Sequence, residues 1–283
     1  MRGRGNIDAL GRLQVDDMNM QDIRPTTVED IDWLVLSAES TPERLAQFNS
    51  TNGHLGLPVE VVAATEGREV DLRELVQIDL IDPDIEEWTP EGVANALSHW
   101  LCWHQAVETQ RTTCIFQDSA VLRRDFVPRV LGLLDVVPDG WEYLQLGVNT
   151  QSGIDFQITP DCRYRGRFTR ETARDEDLEN FATAVTPVVP LRLFNAFGGF
   201  AYMVTPAGAQ RLIEQCFPLA TRVLNVPCLR GRIRTTSIDG VMNQFFGSMP
   251  AHVCFPPLAL SRAEPPAAVV VSAEADEPAE GRP

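Results

Sequence analysis

The sequence predicts an α/β protein with a parallel sheet, on three observations. An apolar run, a helix start and a second apolar run follow one another over residues 31–64. Helix starts of the same kind, a hydroxyl followed by proline, recur at Thr89-Pro90 and Thr205-Pro206. β-Branched and aromatic runs lie between them, as at Thr112-Thr113-Cys114-Ile115-Phe116. Strands that alternate with helical segments pair in parallel through crossover units.

Taken in order, residues 1–28 read as an irregular arm. Ile31-Asp32-Trp33-Leu34-Val35-Leu36-Ser37 is a near-continuous apolar run, the mark of a strand buried on both faces. Ser40-Thr41-Pro42-Glu43 joins a capping hydroxyl, an early proline and a first-turn acid, and so opens a helix to about Asn52. Residues 53–58 turn, and 59–64 form a second strand. Residues 68–88 are acidic and irregular. Thr89-Pro90-Glu91 opens a helix to about Thr109 that has no charged residue between Gly92 and Val107. Val93, Ala96, Leu97, Trp100, Trp103 and Val107 share one face. Asn95, Ser98, His99 and Cys102 share another. A helix without a charged face is expected to be buried all round. Its polar stripe then needs partners inside the protein, or it lines a cleft.

The strand at 112–116 ends in Gln117-Asp118-Ser119. Carboxyl ends of strands border the ligand crevice in open α/β sheets, so this triplet is a candidate site. Asp125 is placed to cap a helix running to about Leu134, and 143–147 reads as a strand. Residues 149–187 are polar and weakly periodic, an insertion or a long loop. Residues 199–204 form a strand, Thr205-Pro206 caps a helix to about Cys216, and Ser237-Ile238-Asp239-Gly240 opens a last helix. From Ser261 the chain is rich in Pro, Ala and Glu and is expected to be disordered. One domain over 29–260, with an arm and a tail (261–283), is the expected organisation.

The 283 residues carry 24 basic and 40 acidic side chains, a formal charge of −16, and every basic residue is arginine. The absence of lysine excludes Schiff-base and phosphate-loop lysine chemistry. The acidic balance argues against a nucleic-acid partner, which calls for a positive footprint. Two basic islands interrupt it. Arg163, Arg165, Arg167, Arg170 and Arg174 lie within twelve residues beside one acid. Arg222, Arg230, Arg232 and Arg234 lie within thirteen residues with none. Each is either a solvated patch or an anion site, since guanidinium forks match diphosphate oxygens. No apolar run is long enough to span a bilayer, and Met1 to Pro25 lacks the apolar core of a secretory signal. The six cysteines are scattered without metal-site spacing, so free thiols in the cytoplasm are expected. His54 and His252 are expected at the surface.

The order of these pieces resembles glycosyltransferase family 25, which includes lipooligosaccharide and collagen galactosyltransferases. Ser40-Thr41-Pro42-Glu43-Arg44 is similar to the family's Ser-Pro-Glu-Arg helix start. The stretch from Leu57-Pro58-Val59-Glu60 through Glu66-Gly67 is similar to its second strand and the turn after it, with Glu66 where the family usually has Asp. Ala96-Leu97-Ser98-His99, with Trp103 following, is the most specific match. Ile115-Phe116-Gln117-Asp118-Ser119-Ala120-Val121 resembles a motif whose acidic triplet is Glu-Asp-Asp. Trp141 to Gly147, Ala201-Tyr202 through Gly208-Ala209, and Ser237-Ile238-Asp239 match three more elements. Together they cover about residues 30–250.

The resemblance implies a GT-A, Rossmann-like domain with a mixed, mostly parallel sheet. It implies transfer of a hexose, galactose or glucose, from a UDP-sugar to a glycan with inversion. It also implies Mn²⁺ or Mg²⁺ bridging the diphosphate to the triplet. Two of the three acids are neutral here, which leaves three readings. A metal binds through Asp118 with phosphates and water; or the enzyme is metal-independent and Arg230, Arg232 and Arg234 neutralise the diphosphate; or catalysis is lost and the domain only binds. Asp118 is a donor contact or a turn aspartate. Asp239 is the general base, a donor contact, or a helix-start aspartate favoured by the macrodipole. Ser98 and His99, with Asn95, contact substrate or are satisfied inside the core. Arg44 holds phosphates or lies on a helix surface. Glu66 reaches the base or ribose, and Gln117 and Ser119 flank the donor.

Overall fold

The computed structural model describes residues 24–85, 87–168, 175–262 and 270–273. The chain runs β1 (Ile31–Ser37), α1 (Pro42–Asn52), β2 (Glu60–Ala63), α2 (Leu72–Gln77), α3 (Pro90–Thr109), β3 (Thr112–Gln117), β4 (Ala120–Leu122) and α4 (Phe126–Val136). It continues with β5 (Tyr143–Gln145), β6 (Gly153–Thr159), β7 (Cys162–Arg167), α5 (Asp175–Thr183), β8 (Val189–Ala196), β9 (Ala201–Val204) and α6 (Pro206–Cys216). It ends with β10 (Val223–Val226), β11 (Gly231–Arg234), α7 (Ile238–Met242), β12 (Ala251–Phe255), β13 (Ala259–Ser261) and β14 (Val270–Ala273).

Nine strands form one sheet in the order β2-β1-β3-β9-β5-β12-β8-β6-β7. Six of them (β2, β1, β3, β5, β12 and β6) run one way, and β9, β8 and β7 oppose them. The sheet is therefore mixed and mostly parallel. Its strands alternate between two cores, as the two-residue period of a pleat requires. Leu34 and Leu36 of β1, Ile115 of β3 and Tyr202 of β9 enter one core with α3 and α6. Trp33 and Val35, Phe116, and Met203 enter the other with α1 and α4. Each large side chain so buried contributes about 1.5–3 kcal/mol.

Two of the three Thr-Pro helix starts behave as their sequences predict, while Thr41 makes no cap bond. Thr89 and Thr205 each accept a hydrogen bond, from Gly92 N and Gly208 N, at 3.1 Å. Gly208 also lets α6 pass close to β5. A Cβ there would sit 2.1 Å from the Glu142 carbonyl oxygen, a backbone atom that cannot swing aside. Gly208→Ala is expected to lower stability by about 2–3 kcal/mol, read as a melting temperature several degrees lower.

Several expectations are corrected. The acidic stretch 68–88 contains α2, capped by the Asp71 carboxylate on Arg73 N and Glu74 N. Residues 149–187 hold β6, β7 and α5. The arginines that make β7 look like a loop are held across the hairpin, where Arg163 and Arg165 both bind the buried Asp155. Asp125 makes no cap bond, because Arg123 and Arg129 take its carboxylate. The helix α3 is not buried all round, since Leu101 is 42% exposed. His252 lies buried on β12, while His54 is exposed. In the expected tail, β14 pairs with β11; residues 263–269 and 274–283, and residues 1–23 of the arm, lie outside the described residues. All six cysteines are free. No helix among the described residues is long and apolar enough to cross a membrane.

Candidate functional site

The parallel pairing of β1 with β3 brings their carboxyl ends side by side, with Leu36 opposite Gln117. Two polar residues sit there, Ser37 and Asp118, both buried. The Ser37 hydroxyl donates to Asp118 Oδ2 at 2.9 Å. Arg44, in the first turn of α1, reaches Asp118 Oδ1 through Nη2 at 2.7 Å and keeps 45% of its side chain exposed. Glu66 lies close by, where its Oε1 accepts from Ser40 N at 3.1 Å and from Arg68 Nη2 at 3.2 Å. The hydrogen bond to Ser40 holds the Glu66 carboxyl below its usual range. Glu66 therefore ties the turn after β2 to the start of α1.

The other two triplet side chains diverge from Asp118. Ser119 turns toward β13, where its hydroxyl accepts from Ser261 Oγ at 3.1 Å. Gln117 turns to α3, with its Nε2 at 3.3 Å from His99 Nε2. His99 is fully buried, and burial lowers its pKa to about 4, so the ring is neutral at neutral pH. Its Nδ1 lies 2.8 Å from the Tyr202 hydroxyl, which also accepts from Trp103 Nε1 at 2.8 Å. A neutral imidazole has one donor and one acceptor nitrogen. With the Gln117 amide donating to Nε2, Nδ1 carries the proton and donates it to Tyr202. The stripe predicted on α3 thus finds partners inside the fold. Ser98 is satisfied within it, donating to Ala94 O and accepting from Thr65 N, both at 2.9 Å. Asn95 is half-buried on the same helix.

Asp239 stands at the head of α7. Its Oδ1 accepts from Gly240 N at 2.9 Å and from the Ser237 hydroxyl, and its Oδ2 accepts from Gly198 N at 3.0 Å. Three of about four lone-pair sites are filled, which leaves one on Oδ2. Gly198 has φ +102°, a conformation that suits glycine. A Cβ at Gly199 would lie 3.9 Å from both the Asp239 Cβ and the His99 ring, so these two residues flank one glycine. Asn243 braces the arrangement by accepting from Ala196 N and donating to Asp239 O at 2.8 Å. Gln145 donates to Gly198 O at 2.7 Å.

The structure therefore joins Arg44 with Asp118, Gln117 with His99, and His99 with the surroundings of Asp239. It does not bring the second arginine island to Asp118. On β11, Ile233 points inward while Arg232 and Arg234 point out, and Arg234 pairs with Glu87. Arg230 is exposed at the turn before β11. Arg170 and Arg174 of the first island lie outside the described residues. Sequence reading missed Ser37, Tyr202, Gly198, Gln145 and Asn243. Ser37 ends a strand just as Asp118 does, and the Gly198-Gly199 pair marks a special backbone; both were readable signals.

The sequence profile described as "Glycosyltransferase family 25 (LPS biosynthesis protein)" matches residues 31–226. The chain belongs to glycosyltransferase family 25. The family match starts at the first residue of β1 and stops at the last of β10, so Asp239 lies beyond it. No curated protein matches the chain. Among solved structures, a mannose-1-phosphate geranyltransferase from Thermus thermophilus is 12% identical, with a TM-score of 0.33, over 82% of this chain and 74% of that one. Family 25 membership implies a divalent cation at the triplet, but the residues here do not suit one. A hard cation takes several oxygen ligands, usually one or two carboxylates with the substrate phosphates. Here the three side chains diverge, and the one carboxylate already carries a guanidinium at 2.7 Å. Among the described residues, no three His, Cys, Asp or Glu side chains form a group that could hold a metal ion.

Proposed function

We propose that the chain transfers a hexose, galactose or glucose, from a UDP-sugar to a glycan or other surface-polysaccharide acceptor with inversion, on a GT-A fold. Family membership supports glycosyl transfer, and the Asp239 carboxylate is the observation that carries the mechanism. Its remaining lone pair on Oδ2 takes the proton of the acceptor hydroxyl. The freed oxygen attacks the anomeric carbon from the face opposite the diphosphate. The bond from that carbon to the diphosphate oxygen breaks, and UDP leaves with the electron pair. In this reading Gln117, half-buried at the end of β3, hydrogen-bonds a sugar hydroxyl, the buried neutral His99 orients the Gln117 amide, and Arg44 faces the phosphates. A nucleotide-sugar donor and free thiols both suit the cytoplasm.

The test is release of UDP from UDP-galactose and UDP-glucose with glycan acceptors, and the anomeric configuration of the product by NMR. Net inversion is expected. Retention would overturn the role of Asp239 as base. The neutral Gln117 and Ser119 favour one other reading, a domain that only binds. Saturable binding of UDP-sugar without turnover or hydrolysis would decide for it.

A further inference from the structure

We propose that Arg44 is the resident counter-charge for the donor's diphosphate, and that Asp118 serves to hold Arg44 rather than a metal ion. The inference rests on the nucleotide-sugar reading above and adds the means by which the leaving group is neutralised.

Three features of the site point this way. The first is the divergence of the triplet. Gln117 is committed to His99, Ser119 to Ser261, and Asp118 to Ser37 and Arg44. The second is the state of Arg44 itself. A guanidinium carries five N–H donors. Among the described residues, Asp118 is the one side chain that Arg44 pairs with, through Nη2, and nearly half of Arg44 remains exposed. A planar fork anchored at one edge offers its other edge to phosphate oxygens bidentately. Asp118 is 7% exposed, so a buried carboxylate fixes the arginine without competing for solvent-side ligands. The third is the helix end to which Arg44 belongs. Thr41, at the head of α1, has a hydroxyl that is buried with no hydrogen-bond partner. Arg44 belongs to the first turn of that eleven-residue helix, whose positive end favours an anion.

Other arginines are less suited. Arg68 pairs with Glu66, Arg234 with Glu87, and Arg163 and Arg165 with Asp155. None of these acids belongs to the triplet. Arg44 is the cation that stands where the chemistry of a bridging metal would be needed.

The test is calorimetric titration of the full chain with UDP, once with EDTA and once with Mn²⁺. Wild type is expected to bind UDP with the same affinity in both, within about twofold. Arg44→Gln is expected to weaken binding at least about tenfold in both, which is about 1.4 kcal/mol. Arg44→Lys should fall between them, because lysine keeps the charge but lacks the fork. Binding by wild type that tightens tenfold or more with Mn²⁺ would overturn the inference and leave the nucleotide-sugar reading standing. So would Arg44→Gln binding like wild type. No UDP binding by wild type in either condition would sink the nucleotide-sugar reading, and this inference with it. Circular dichroism melting checks that the variants fold. If Arg44→Gln does not fold, the wild-type comparison and Arg44→Lys still decide.

Discussion

Asp239→Asn is expected to lower kcat for sugar transfer by about 10²–10⁴-fold, while UDP affinity stays close to wild type. The substitution keeps size and shape but removes the base. It also puts an amide nitrogen where Oδ2 now accepts from Gly198 N, or else moves it to where Oδ1 accepts from Gly240 N and Ser237. At least one of these donors loses its acceptor in either orientation. Ser237→Ala is the control. It removes one donor to Oδ1 and a helix-cap bond but leaves the free lone pair on Oδ2. Its rate should fall far less. Steady-state kinetics with a saturating acceptor separate the two variants. Equal rates for Asp239→Asn and wild type would reduce Asp239 to a helix-start residue.

A steep loss of stability on mild acidification is the second large effect. Burial holds His99 at a pKa of about 4. It does the same for His252, with help from the nearby positive Arg192. Burial lowers His104 as well. The sign follows from proton counting. Between about pH 6.5 and 4 the unfolded histidines are protonated and the folded ones are not, so the unfolded state binds more protons and stability falls with pH. Each of the two deepest shifts is worth about 3 kcal/mol at the acid end of that window. Together they rival the whole stability of an ordinary domain, about 5–15 kcal/mol. A drop in melting temperature of roughly 10 °C between pH 7 and pH 5 is expected. His252→Leu should remove close to half of that drop. A flat profile for wild type over this range would show that these histidines are not held neutral.

The parts of the fold that announce themselves in sequence are those whose local chemistry agrees with their tertiary setting. The continuous apolar run of β1 and the Thr-Pro starts of α3 and α6 need nothing from afar. The β6–β7 hairpin does. Its arginines read as solvated until Asp155 is placed opposite them, a contact made across the turn. His252 is similar, since nothing near it in sequence says that β12 lies inside the sheet. At the site, the triplet and Asp239 were legible because both sit at the ends of regular elements. The divergence of the triplet was not, because the partners of its three side chains come from α1, α3 and β13, far apart along the chain. The loss of two acids suggested that arginines take over from the metal. In the arrangement proposed above, Arg44, which pairs with Asp118, takes that role in place of the β11 island.

The place of β12 has a consequence for how the protein is assembled. It lies between β5 and β8 and is the only strand that joins the β2-to-β5 half of the sheet to β8, β6 and β7 among the described residues. During synthesis, β6 and β7 can pair with each other and with β8 as a unit, but they have no strand of the larger half to pair with until residues near 255 emerge. Closing such non-local pairings is slow, and unpaired edges invite association in the meantime. A fragment cut at residue 226, where the family match ends, would leave β5 and β8 with bare edges and no shared neighbour. Shortened forms of this protein are therefore expected to aggregate rather than to yield a smaller working domain, and any dissection of it should keep the chain through β12.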